Sequence, residues 1–145
     1  MDLETFGNGS NTVNFGHVKN TQKNKYLTAE IQSDTYSPGV GADGVFRDPW
    51  GNPYFITLDA NGDEKTRDAF YGTANLSDDG AGGGLNGLIK TTVGGPNYEF
   101  NGSVMVWSAG PDKKVDPNPR PPSDRPPFGS ATYGVNKDNI LSWKP

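Results

Sequence analysis

The stretch PDKKVDPNPRPPSDRPP, residues 111–127, sets the tightest limit on what this chain can fold into. Six residues between 117 and 127 are proline. Proline fixes φ and lacks a backbone N–H, so the segment can be neither a helix nor a central strand. It reads as a long loop. A shorter constraint of the same kind lies in RDPWGNPYFITLD, residues 47–59. Pro49 and Pro53 push Asp48 and Asn52 towards extended backbone, and Gly51 supplies geometry that a Cβ would forbid. Trp50 and Tyr54 offer apolar area that could pin such a corner to a core. The motif reads as a rigid corner that aims the apolar run after it.

Composition agrees with a chain built from turns. Glycine supplies 20 residues and proline 12, while apolar residues make up 32%, against a usual figure of roughly 45–50% that also counts glycine. Aromatic residues, at 11%, argue against disorder. These values and the length of 145 residues suit one small, loop-rich folded domain, 1–145, with an N-terminal region over 1–44. Net charge is −4 and no basic stripe is present, which argues against nucleic-acid binding by phosphate neutralisation. The absence of cysteine rules out disulfides and thiolate metal sites. No apolar run is long enough to span a bilayer, and no basic-then-apolar leader opens the sequence.

Along the chain, KNTQKNKYLTAEIQ (19–32) predicts a short helix capped by Asn20 or Thr21, with Tyr26, Leu27 and Ile31 on one face. YFITLDANGDEKTRDAFY (54–71) predicts a strand, a hairpin turn at Asn61-Gly62 and a returning segment. Residues 72–97 read as a long excursion carrying one short helix or strand around LNGLIKTTV. In YEFNGSVMVWSAG (98–110) the β pattern resumes, with Val104 and Val106 on one side and Ser103, Met105 and Trp107 on the other.

Several motifs invite a chemical reading and lose it on inspection. DANGD (59–63) imitates the start of a calcium loop, but Glu64 stands where that loop needs glycine and Phe70 where it needs glutamate. It reads as a turn. His17, the single histidine, has no identifiable triad or metal partners in the sequence. GAGGGLNG (80–87) lacks the Lys-Ser/Thr of a phosphate loop. No carboxylate pair stands out from the 17 acidic residues as an acid/base couple, so the chain does not read as an enzyme. WSAGPDKKVD and NKDNILSW are different, because they bring Asp112, Asp116 and Asp138 into loops rich in amide and carbonyl oxygen. Hard divalent cations take such oxygens from irregular loops, and an ion there could fasten both ends of the proline-rich segment. Solvated loop aspartates are the plain alternative.

Three motifs in order, FRDPWGNPY (46–54), VWSAGPD (106–112) and NKDNILSW (136–143), resemble the pseudopilins of the type II secretion system, most closely the major pseudopilin and its type IV pilin-like relatives. The match covers roughly residues 45–145, with the proline-rich insertion 117–127 inside it. The resemblance implies an α+β, pilin-like domain with a small antiparallel sheet, long loops and little helix. It further implies an apolar N-terminal helix, absent from residues 1–145, that anchors the subunit in the bacterial inner membrane and later packs in the core of a periplasmic filament. Partners would be other pseudopilin subunits and the secretion machinery, and the membrane would be met only through that helix. Calcium is the implied cofactor. Its ligands, carried over by position, would be the Ala109 carbonyl and the Asp112 and Asp138 carboxylates, with Ser108, Asp116 and Asn136 as helpers. Trp50, Trp107 and Trp143 are expected in the core under the sheet. A rival from another class is a secreted, calcium-stabilised module binding carbohydrate or protein, with Tyr71 and Tyr133 exposed for stacking.

Overall fold

A computed structural model describes residues 2–92, 94, 97–117 and 134–144. The chain divides into two compact units, residues 1–54 and 55–145. The proline corner, residues 47–54, belongs to the first unit.

In the first unit, β1 (Gly39–Val40) pairs antiparallel with β2 (Phe46–Arg47). The Arg47 guanidinium closes the connection from inside, with Nη1 2.8 Å and Nη2 2.6 Å from the two Asp43 oxygens. The corner that follows is organised by Asp48, which is buried. Its Oδ1 accepts the backbone N–H of Trp50 at 2.9 Å and of Asn52 at 2.8 Å, and its Oδ2 accepts the Asn52 side-chain amide at 2.9 Å. Gly51 at φ 88° makes the reversal possible. The chain turns back on itself, so that Pro53 bridges Arg47 and the Tyr54 ring meets Phe46 at 5.0 Å. Trp50 is not a core residue. Held out at the apex of this turn, it is 38% exposed, which corrects the expectation for one of the three tryptophans.

The helix expected over 19–32 is also absent. Asn20 spends its side chain on Asn24, accepting that residue's N–H at 3.2 Å and donating to its carbonyl at 2.8 Å. Lys23 sits at φ 56°, a left-handed conformation that breaks any helix. Local side-chain bonds have outcompeted the helical ladder, as asparagine-rich segments allow. Further on, Ile31 forms a parallel bridge with Val40 instead.

The second unit carries two three-stranded antiparallel sheets. One is ordered β3 (Phe55–Leu58), β7 (Val104–Ser108), β8 (Ile140–Leu141), and the other β4 (Lys65–Thr66), β6 (Asn97–Asn101), β5 (Ile89–Thr91). The only regular α-helix among the described residues is α1, Ala74–Ser77. Small antiparallel sheets, long loops and little helix are thus as expected. The excursion over 72–97 holds both α1 and β5, where one short element was expected.

The hairpin at Asn61-Gly62 is a correction of another kind. β3 pairs with β7 and β4 pairs with β6, so the two flanking strands do not face each other. Asp59 bonds across to Ser103 while Lys65 stands opposite Asn101, leaving five residues, 60–64, opposite Gly102 alone. The chain therefore makes a looped bulge and continues in its original direction. Asp59 creates that loop by accepting three backbone N–H groups, from Asn61 (3.1 Å), Gly62 (2.8 Å) and Glu64 (2.8 Å). Left-handed Gly62 and Glu64, at φ 74° and 60°, complete the circuit. An Asn-Gly pair specifies a turn, but nothing in it specifies that the turn reverses the strand.

The core lies on one face of the β3–β7–β8 sheet. Tyr71, Leu88, Tyr98, Met105, Trp107 and Trp143 form a single buried cluster. Trp107 is sandwiched, with Phe55 stacked at 4.2 Å and Phe70 at 4.9 Å, and Tyr71 edge-on at 5.2 Å. Its indole Nε1 lies 3.3 Å from Asp68 Oδ2, which also accepts the Thr57 hydroxyl at 2.6 Å. The other Asp68 oxygen caps Phe70 and Tyr71 N–H groups at 2.9 and 2.8 Å. One buried carboxyl group thus ties the β3–β7 ladder to the turn that carries Phe70 and Tyr71. Tyr71 is 0% exposed, so it offers no surface for stacking a ligand, and Tyr133 lies outside the described residues.

Candidate cation site

β7 ends at Ser108, and the β7–β8 register sets Ser108 opposite Ile140. That pairing brings the residues just after β7 against those just before β8. Gly110 makes the closest approach: at φ 69°, a Cβ there would lie 2.1 Å from the Asp138 carbonyl oxygen. Only glycine fits. The turn beyond it is closed by Lys113 N–H on the Gly110 carbonyl (3.3 Å) and Lys114 N–H on Asp112 Oδ1 (2.8 Å).

Four of the six residues singled out from sequence meet here: Ser108, Ala109, Asp112 and Asp138. The Asp112 backbone N–H donates to Asp138 Oδ2 at 3.2 Å, across 26 positions of sequence. The second Asp138 oxygen, Oδ1, is buried without a hydrogen-bond partner, and so is the Ser108 hydroxyl. A buried unpartnered oxygen costs about 1–3 kcal/mol, more for a charged group, so each of the two calls for a partner.

Asp116 and Asn136 do something else. The Asn136 amide accepts the Asp116 backbone N–H at 2.9 Å and donates to its carbonyl at 2.8 Å. A side chain here imitates a strand neighbour, and this clasp draws together the two ends of the segment that contains the prolines. Asn136 is buried, with both ends of its amide committed.

Asn139, adjacent to Asp138, plays a part that the sequence did not single out. Its Nδ2 donates to the Tyr71 hydroxyl at 2.7 Å, linking the candidate site to the aromatic core. Gly110 adds a second such residue, and a glycine between Ala109 and Pro111 at a strand end is the available sequence signal for a close backbone approach.

The donor set is one of hard oxygens. Among the described residues no three His, Cys, Asp or Glu side chains come together, so a cation here would rest on two carboxylates and neutral oxygens. Calcium accepts such mixtures of carboxylate, hydroxyl and carbonyl oxygen, whereas zinc and copper favour imidazole or thiolate. The residues therefore fit calcium: Asp112 and Asp138 would supply charge, and Ser108 Oγ and the Ala109 carbonyl would complete the shell.

The Tyr71 hydroxyl gives this region a pH signature. Burial pushes its pKa up to about 12, against the opposing hydrogen bond from Asn139, and burial likewise pushes Tyr98 up to about 12. An unfolded tyrosine titrates near ~10, so the folded protein holds these protons more tightly. The stability they contribute is intact below pH ~10 and falls as pH rises from there towards ~12. A phenolate absorbance titration should show two of the six tyrosines ionising only as the near-ultraviolet dichroism collapses. All six ionising together in a folded protein would contradict the packing.

Comparison with known proteins found no matching family model, no matching curated protein and no matching solved structure.

Proposed function

We propose that this chain is the globular domain of a pseudopilin, a structural subunit of a type II secretion pseudopilus, with calcium bound at the end of its β3–β7–β8 sheet and no catalytic role. The observation that carries this reading is the face of the sheet opposite the Trp107 cluster. Ile56 pairs with Val106, Leu58 with Val104, and Ile140 with Ser108, so their side chains share that face. Ile56 is 62% and Leu58 65% exposed. An antiparallel sheet that meets water on one side ordinarily alternates apolar with polar residues, and this one is apolar on both faces. Such a surface calls for a covering element.

In the pseudopilin reading that element is the apolar N-terminal helix of the full-length subunit, which the resemblance implies. Its upper part would lie on Ile56, Leu58 and Val104, and its lower part would anchor in the inner membrane and pack with neighbouring subunits in a periplasmic filament. Among the described residues no helix is long and apolar enough to cross a membrane. Supporting the same reading, the motifs over 106–112 and 136–143 meet at the end of β7 and β8, where two buried oxygens lack partners. Calcium bound there would neutralise Asp112 and Asp138 and hold the two loops together.

The test is a photo-cross-linking amino acid at Ile56 or Leu58 in the product of the complete gene, expressed in its membrane. The reading expects adducts with an apolar helix of the same or a neighbouring subunit, and none from the exposed control position Tyr36. Probes at 56 and 58 that react only with water would contradict it.

A further inference from the structure

The first unit contains a cleft of about 510 Å³, lined by Asp2, Asn14, Lys19, Thr21, Gln22 and Tyr26 among others. That volume lies in the range of small-ligand sites, roughly 300–1,000 Å³, but the lining is polar where such sites are usually apolar. A ligand suited to it must carry many hydrogen-bonding groups for its size.

The wall is fixed in advance. Asn14 Oδ1 accepts the Lys19 backbone N–H at 3.0 Å, and Asn14 Nδ2 donates to Asp2 Oδ1 at 2.6 Å. The other Asp2 oxygen lies 2.6 Å from His17 Nδ1, whose Nε2 is 2.9 Å from Glu4. Both carboxylates are thereby occupied within the wall. The Asn24 amide donates to Gln22 Oε1 at 3.0 Å and to the Tyr26 hydroxyl at 3.1 Å, which orients both side chains.

What remains is a set of uncommitted groups. No described residue engages the Lys19 ammonium, the Thr21 hydroxyl or the Gln22 amide nitrogen. The Tyr26 ring is 84% exposed, although a ring of that size is ordinarily buried on at least one face. Lys19, Lys23 and Lys25 are the only lysine or arginine residues between 5 and 29, and the nearby Asp2 and Glu4 carboxylates are turned to Asn14 and His17. Flat aromatic surface, amide and hydroxyl donors and an unpaired ammonium are complementary to a pyranose ring that bears a carboxylate.

We propose that this cleft binds an acidic saccharide, with a uronate ring stacked on Tyr26, its carboxylate paired with Lys19, and its hydroxyls bonded to Thr21 and Gln22. Such a ligand would stay in contact through the stacking term when salt screens the ion pair. The site is independent of the Asp112–Asp138 region and of the pseudopilin reading, and either can fail without the other.

The test is an amide-resonance titration of isotopically labelled protein with trigalacturonate, with neutral maltotriose and inorganic phosphate as the comparison probes. Trigalacturonate should shift the resonances of residues 19–26 saturably, and each of Lys19→Ala and Tyr26→Ala should weaken binding roughly five- to tenfold. Both side chains are exposed, so the variants should melt with the wild type. Maltotriose should bind at least about tenfold more weakly. No saturable shift with trigalacturonate would overturn the proposal. So would phosphate binding as tightly, which would indicate a bare anion site, or maltotriose binding as tightly, which would remove the role of charge. An unchanged affinity in Tyr26→Ala would remove the stacking and overturn it as well.

Discussion

Trp107→Ala should lower the stability of the domain by about 3–5 kcal/mol, the range for truncating a large buried aromatic residue. The indole fills the space between Phe55 and Phe70 and meets Tyr71 edge-on, so its loss opens a cavity at the centre of the only large apolar cluster described. It also deprives Asp68 of one of its donors. A loss of this size is a large fraction of the total expected for a domain, about 5–15 kcal/mol. Trp50→Ala makes the control, because its ring is partly in water at the apex of a turn held by Asp48. Its cost should stay below about 1.5 kcal/mol, near the ordinary effect of a substitution outside the core. Denaturant midpoints separate the two, and equal shifts would mean that the core is wrongly drawn.

Gly110→Ala should cost about 2–5 kcal/mol, from two sources that act together. A left-handed alanine is disfavoured by about 1–2 kcal/mol, and overpacking against rigid neighbours adds about 1–3 kcal/mol. The new Cβ would meet the backbone of Asp138 and Asn139, which cannot rotate away as a flexible side chain could. The β7–β8 pairing must open to admit it. Chemical denaturation of Gly110→Ala gives the measurement, and a cost under about 0.5 kcal/mol, the scale of a neutral surface change, would show that the approach is looser than drawn. Because Asp112 and Asp138 would move apart, the same substitution should also abolish any stabilisation by calcium.

These two positions mark how far the sequence can be read. The alternation in SVMVWS identified which β7 side chains face the core, because a strand has only two faces and Met105 and Trp107 share one. Asp112 and Asp138 were legible as oxygen donors, and their juxtaposition follows from the β7–β8 register. Four other features were not legible, each for a physical reason. The Asn61-Gly62 turn is visible in sequence, yet whether a turn reverses the chain depends on strand partners far away at residues 97–108. Trp50 carries the apolar area of a core residue, but the buried carboxylate of Asp48 fixes the turn and leaves the ring outside. Tyr71 is buried by contacts from Phe70, Trp107 and Trp143, two of them remote in sequence. The Asn136 clasp depends on a tertiary contact across 20 positions.

The calcium clamp proposed for the end of the β7–β8 pairing offers the most direct test. Thermal melts with millimolar calcium and with a chelator measure it on wild type and on Asp112→Ala, whose side chain is exposed and whose fold should persist. Sites of extracellular type bind calcium at roughly 10⁻⁴–10⁻³ M, so about 10 mM calcium, roughly ten to a hundred times that constant, stabilises by about 1.4–2.7 kcal/mol. For a chain of this size that corresponds to a rise of about 3–10 °C in wild type, reversed by chelator and largely lost in Asp112→Ala. A wild-type melting temperature that does not respond to calcium, or an Asp112→Ala variant that keeps the full rise, would contradict the account.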